Sequence, residues 1–358
     1  MGETKLMKGN EAIAEAAVLA GCRHYFGYPI TPQNEIIEYM AQRMPEVGGV
    51  CLQAESEIAA SNMVFGAAAA GARAMTSSSG PGISLKQEAI SYLAAGELPC
   101  VIVNVMRAGP GLGGITPAQG DYFQATRGGG HGDYRTIVLA PASAQEAFDM
   151  TMRAFDLADH YRIPVLLLSD GALGQMMEKV NLKPCEPKMT SKPWAATGLH
   201  GRKSNNVVKT LILKPEELED HNNKLQAKYR DIEARETLWE ESHTEDAELI
   251  LVAYGIMSRI AQSAMSAARA QGLNVGMLRP QTLWPFPREA FKDVAKRTKA
   301  FLVLELSAGQ MVEDVLLSIE HKRPVSFYGR TGGMTPKSQE VLDEILTVMG
   351  MKGERLKC

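Results

Sequence analysis

Pro99-Cys100-Val101-Ile102-Val103-Asn104-Val105-Met106 and Pro164-Val165-Leu166-Leu167-Leu168-Ser169 are almost unbroken apolar runs. A strand with one wet face alternates apolar and polar side chains, whereas runs like these suit strands covered on both faces, as in parallel sheets flanked by helices. Similar short runs stand at residues 23–27, 49–53, 73–77 and 136–140, and helical periodicity fills 32–43, 56–71, 83–95 and 143–159. Strand and helix in regular turn imply βαβ units. A first α/β unit therefore spans residues 1–180.

Residues 181–245 break the pattern. A Pro, Lys and Ser-rich stretch precedes a charged segment in which Leu218, Leu225, Tyr229, Ile232 and Trp239 recur at helical spacing, which predicts a linker carrying one amphipathic helix packed on the units it joins. Over 246–358, strands at 249–254, 273–278, 300–306 and 324–328 alternate with helices, and the last helix begins at Thr335-Pro336 with proline in its first turn. The expected fold class is α/β: two parallel-sheet domains joined by a partly helical linker.

With 45% hydrophobic residues, the 358-residue chain can build a sizeable core without disulfides or metals. Its 38 basic and 41 acidic side chains nearly cancel and form no long run of one sign, which argues against nucleic-acid and anionic-membrane partners. Cys22, Cys51, Cys100, Cys185 and Cys358 form no C-x-x-C pair; they read as reduced thiols, with no zinc or iron-sulfur motif. No apolar stretch approaches the roughly 20 residues of a membrane-spanning helix. Leu19-Ala20-Gly21-Cys22 has the form of a lipoprotein cleavage box, but Glu11 and Glu15 interrupt the apolar region it needs. The same stretch makes a helix with Asn10 as N-cap and Gly21 as C-cap, so the cytoplasm is the expected location.

Ligands of open parallel sheets bind beyond the carboxyl ends of the strands, where loops converge and helix N-termini point their amides outward. That rule selects four loops: Tyr28-Pro29-Ile30-Thr31-Pro32, Ala54-Glu55-Ser56-Glu57, Ser77-Ser78-Ser79-Gly80-Pro81-Gly82, and Arg107 onward. Each has a plainer reading. Thr31 can cap the following helix, Glu55 and Glu57 can be first-turn acids favoured by the helix dipole, the serine-glycine loop can be a tight turn, and Arg107 can pair with a local acid. Gly109-Pro110-Gly111-Leu112-Gly113-Gly114 matches G-x-G-x-x-G, but Ile115-Thr116-Pro117 and Gly120 leave no helix to receive a pyrophosphate. Residues 108–132 read instead as a glycine-rich loop over the site.

With these residues laid out, the chain resembles the alpha subunit of the 2-oxoacid:ferredoxin oxidoreductases, most closely the branched-chain 2-oxoisovalerate type. The most specific stretches are Gly27-Tyr28-Pro29-Ile30-Thr31-Pro32, Gln53-Ala54-Glu55-Ser56-Glu57, Ser77 to Gly82 with Ile83-Ser84-Leu85-Lys86, and Glu97-Leu98-Pro99 leading to Arg107. The resemblance implies a thiamine-diphosphate pyrimidine-binding-like domain and a transketolase C-terminal-like domain. It implies that Thr31 and Arg107 contact the substrate and that Glu57 faces the pyrimidine ring, with Tyr28, Pro29, Ser79 and Gly80 beside the cofactor. A carboxylate against the ring nitrogen promotes loss of the thiazolium proton.

Thiamine enzymes of this kind hold the diphosphate through Mg²⁺ with a Gly-Asp-Gly motif and a following asparagine. Ser169-Asp170-Gly171, Gly120-Asp121-Tyr122 and Gly132-Asp133-Tyr134 fall short of it. The resemblance thus implies half of a composite site, with the diphosphate and Mg²⁺ on a beta-type subunit and iron-sulfur clusters on gamma/delta-type subunits that serve ferredoxin. No metal ligand is expected on this chain. The second domain, with Leu278-Arg279-Pro280 and Glu305, reads as an assembly domain with a coenzyme A contact. A 2-oxoglutarate enzyme is the alternative; it needs a second cation, for which Lys86, Arg127 and Arg135 are candidates. A non-catalytic assembly subunit of the same fold is the other.

Overall fold

The computed structural model describes residues 3–182, 187 and 189–351. β1 (Glu3–Lys8) runs straight into α1 (Gly9–Leu19), and then β2 (His24–Gly27), α2 (Asn34–Glu46), β3 (Val50–Gln53), α3 (Glu57–Ala69), β4 (Ala74–Ser78), α4 (Pro81–Ala95) and β5 (Cys100–Met106) alternate strictly. α5 (Tyr122–Arg127), β6 (Ile137–Leu139), α6 (Ala144–Tyr161), β7 (Pro164–Asp170), α7 (Gly171–Gln175) and β8 (Met177–Leu182) follow. After α8 (Pro215–Arg235) and β9 (Trp239–Ser242) come β10 (Leu249–Val252), α9 (Gly255–Ala270), β11 (Val275–Pro280), β12 (Thr282–Trp284), α10 (Arg288–Arg297), β13 (Ala300–Glu305), α11 (Met311–Ser318), β14 (Val325–Gly329) and α12 (Ser338–Val348).

A seven-stranded sheet has the order β12-β6-β7-β5-β4-β2-β3 and a five-stranded sheet the order β14-β13-β10-β11-β9. All pairings are parallel except those of the two edge strands β12 and β9. Every residue of β5 and β7 is buried, as their unbroken apolar runs require. The antiparallel edges escaped sequence reading. β12 leaves the second unit to pair with β6, and β9 carries Trp239, expected on the linker helix, into the second sheet. Both are too short for periodicity to register. β1 pairs with β8 in a further two-stranded sheet.

Other expectations shift for local reasons. Asn10 is not the N-cap of α1: extended backbone continues through Lys8, and the buried Asn10 amide instead donates to Pro32 O at 2.8 Å and Glu35 Oε2 at 2.8 Å. The last helix starts at Ser338 rather than at Pro336. On α8, Leu225, Tyr229 and Ile232 are buried while Leu218 is exposed. Burial pushes the Cys22 thiol up to about 12 and that of Cys51 up to about 11, and raises that of Cys100, so none of the three is an activated thiolate. Cys185 and Cys358 lie outside the described residues.

The two sheets are locked by buried polar contacts. Asp170 Oδ1 caps α7 by accepting from Ala172 N and Leu173 N, and its Oδ2 accepts from Ile256 N of the second unit at 3.0 Å. Gln119 donates to Tyr254 O at 2.8 Å and accepts from Leu306 N at 3.0 Å. Asp170→Ala strands three buried backbone donors, each costing roughly 1–3 kcal/mol. The expected result is a marked fall in the thermal midpoint of the purified complex; an unchanged midpoint would show that Asp170 does not lock the units.

Candidate active site

The ends of β2, β3, β4 and β5 bring the four selected loops together. Arg107 follows β5 and is 8% exposed. Its guanidinium donates to Thr31 O at 2.9 Å and to Leu112 O at 3.0 Å, while Nε is buried without a partner. Of the five donors of a guanidinium, two therefore tie the first loop and the glycine-rich loop to β5. Thr31 is exposed and does not cap α2, whose N-cap is Gln33. Its hydroxyl is left for other work.

Gly80 stands between β4 and α4 at φ 47°, a conformation that favours glycine, and a Cβ there would lie 3.2 Å from Arg107 Nε. Pro81 opens α4. At Gly82 a Cβ would lie 2.6 Å from Glu57 Oε1 and would also overlap Ser78 Oγ, so the carboxylate occupies the space that glycine leaves. Glu57 begins α3 behind the N-cap Ser56, whose hydroxyl accepts from Ala59 N at 3.2 Å. It is 6% exposed, whereas Glu55 is exposed. Periodicity could not say which of the two faces inward; the register set by Ser56 decides it.

Thr31, Arg107, Gly80 and Glu57 thus form one continuous wall, with Ser79 buried, Tyr28 half-buried and Pro29 exposed at its rim. Sequence reading missed its supports. Gln33, fully buried, accepts from Ser77 Oγ at 2.5 Å and donates to Tyr28 O at 3.2 Å, and Ser77 is 2.6 Å from the Tyr25 hydroxyl. Asp121 accepts from Asn104 at 3.0 Å; burial raises its carboxyl, opposed by Asn104 and the Arg107 charge. Other suggested cations lie elsewhere. Arg127 pairs with Asp314 at 3.0 Å, and Arg127 and Arg135 line a separate cleft of about 620 Å³ with Trp239 and Trp284. Arg279 is paired with Glu146 and Glu240, and Glu305 accepts the first amides of α11, so both have structural partners.

The wall stands at the carboxyl ends of parallel strands, where α/β enzymes bind their ligands. The chain belongs to the 2-oxoacid:ferredoxin oxidoreductase family and is one subunit of a multi-subunit enzyme: residues 15–243 match the pyruvate flavodoxin/ferredoxin oxidoreductase thiamine-diphosphate-binding model, and residues 247–341 match pyruvate:ferredoxin oxidoreductase core domain II. It is 51% identical to the ketoisovalerate oxidoreductase subunit VorB of Methanothermobacter thermautotrophicus, over 97% of this chain and 98% of that one. It is 38% identical to the 2-oxoglutarate synthase subunit KorA of the same organism, over 97% and 99%.

Among solved structures, the 2-oxoglutarate:ferredoxin oxidoreductase of Magnetococcus marinus, with 2-oxoglutarate, coenzyme A and succinyl-CoA bound, superposes with a TM-score of 0.83 at 27% identity; the match covers 97% of this chain and 65% of that one. A split-gene transketolase shares the fold at a TM-score of 0.57 and 13% identity, over 97% and 99% of the two chains. Thiamine diphosphate is the cofactor of the matched family, and the wall fits an aminopyrimidine. Ser78 Oγ and Ser79 Oγ are buried without partners around the turn that cradles the Glu57 carboxylate. Among the described residues no helix is long and apolar enough to cross a membrane.

Proposed function

We propose that the chain is the alpha subunit of an enzyme that converts 3-methyl-2-oxobutanoate, coenzyme A and oxidised ferredoxin into the branched acyl-CoA, carbon dioxide and reduced ferredoxin. The observation that carries the reading is the convergence of buried Glu57 and Arg107 on the Gly80 to Gly82 turn. Thiamine diphosphate, when bound, supplies the electron sink that lets a 2-oxoacid lose its carboxyl group. Glu57 orients the pyrimidine ring through a charge-assisted hydrogen bond and shares its proton. Arg107, braced by Thr31 O and Leu112 O, presents its remaining donors to the substrate carboxylate. The Thr31 hydroxyl donates to the substrate, and Tyr28, Pro29, Ser79 and Gly80 wall the cofactor side.

Identity favours the branched-chain acid, at 51% against 36–41% for the archaeal 2-oxoglutarate relatives. The electrostatics agree. A 2-oxoglutarate tail needs a second cation, yet Lys86 is sealed inside the fold, Arg127 is paired and Arg135 lines the other cleft with it, while exposed Leu112 is the residue whose carbonyl Arg107 holds. Lacking a Gly-Asp-Gly motif, the chain supplies half of a composite site. A beta-type subunit carries the diphosphate and Mg²⁺, and gamma/delta-type subunits carry the iron-sulfur clusters that reduce ferredoxin. Exposed Leu52, Ile58 and Leu85 beside the wall support a partner there. Residues 1–180 form the pyrimidine-binding part, 181–245 the linker and 246–358 the assembly part.

Steady-state rates of the whole complex test the substrate. We expect kcat/KM on 3-methyl-2-oxobutanoate to exceed that on 2-oxoglutarate and pyruvate by at least about tenfold, the scale on which apolar pockets discriminate. A preference for 2-oxoglutarate would overturn the branched-chain reading.

A further inference from the structure

Lys86 sits on α4 with none of its surface exposed, and no role above uses it. Its ammonium donates to Thr76 Oγ1 on β4 at 2.9 Å and to the backbone carbonyl of Glu57 at 3.3 Å. Both acceptors are neutral. Among the described residues the one charge that acts appreciably on it is the Glu57 carboxylate. A buried ammonium without a bonded counter-ion is costly, and a methionine would fill the same space without that cost. The position of the charge is therefore informative: it lies under the first turn of α3, directly behind the one carboxylate that the wall presents.

We propose that Lys86 is a positioning residue for Glu57. Its ammonium ties the Glu57 backbone to β4 through Thr76, and so holds the first turn of α3, with the neighbouring carboxylate, in register for the pyrimidine ring. The inference rests on Glu57 being the ring-facing group. Burial pushes the Lys86 amine down to about 8, against an ordinary value near 10.5, and the Glu57 charge offsets part of that fall. Between those values the unfolded chain binds more protons than the folded one. The penalty of the buried charge is thus complete below pH 8 and relaxes as pH rises toward 10.5.

The test uses the assembled complex carrying Lys86→Met, Thr76→Val or Glu57→Gln. After cofactor removal, each is titrated calorimetrically with thiamine diphosphate and Mg²⁺ at pH 7. Loss of one charge-assisted contact corresponds to about tenfold in affinity. We expect Lys86→Met to bind about tenfold more weakly and Thr76→Val, which keeps the lysine, by a smaller factor. We also expect the difference in melting temperature between wild type and Lys86→Met to be level up to about pH 8 and then to shift in favour of the wild type toward pH 10, because other titrations cancel in the difference. Cofactor affinity unchanged in both Lys86→Met and Thr76→Val, while Glu57→Gln weakens it, would overturn the positioning role alone. A melting difference flat with pH would overturn the buried charge. Unchanged affinity in Glu57→Gln as well would instead show that the Glu57 reading has failed.

Discussion

Replacing Glu57 by glutamine lowers kcat of the reconstituted complex by about a thousandfold, within the range of about 10²–10⁴ for a positioned proton-transfer group. The substitution keeps shape and burial, so Gly82 and Ser78 remain packed against the side chain. What it loses is the anionic acceptor. A neutral amide cannot draw a proton toward the ring nitrogen, and its NH₂ end presents a donor where an acceptor is required. Thiamine binding should weaken far less than turnover, because the substitution alters one hydrogen bond, a loss of about tenfold. The kinetic comparison is made at saturating thiamine diphosphate; turnover within a few-fold of wild type would remove Glu57 from the chemistry.

Arg107→Met has the second-largest expected effect, a rise of about a hundredfold in KM for the 2-oxoacid. A charge-assisted bond to a carboxylate contributes roughly 1.5–3 kcal/mol, and a guanidinium offers two such bonds in parallel. Arg107→Lys should recover only part of the loss, since an ammonium lacks the planar fork that also braces Thr31 O and Leu112 O. Thiamine affinity is the internal control and should change little in either variant. An unchanged KM in Arg107→Met would assign the carboxylate to a cation on another subunit.

The parallel core was legible because its signal is redundant. β5 and β7 have no exposed face, and their apolar runs register without any alternation to read. Edge strands carry no such redundancy: β12 has three residues and β9 four, so neither the return of the chain to the first sheet nor the place of Trp239 was readable. At the wall, the strand-end rule found Thr31, Glu57, Gly80 and Arg107, because hydroxyl, acid, glycine and guanidinium at such loops are chemically conspicuous. Their supports were not. Gln33, Ser77 and Tyr25 form one network only through strand pairing, and Lys86 looks like any helix lysine until the packing of α3 over α4 seals it. Asn10 shows the converse: a side chain suited by type to capping was taken up by a tertiary contact with Pro32 and Glu35.

The exchange rate of the thiazolium carbon-bound hydrogen reports the action of Glu57 on the bound ring without the rest of turnover. Acid-quenched hydrogen–deuterium exchange on the assembled complex, read by NMR of the released cofactor, should show exchange slowed by about a thousandfold in Glu57→Gln relative to wild type. Equal exchange rates in the two complexes would contradict that action of Glu57.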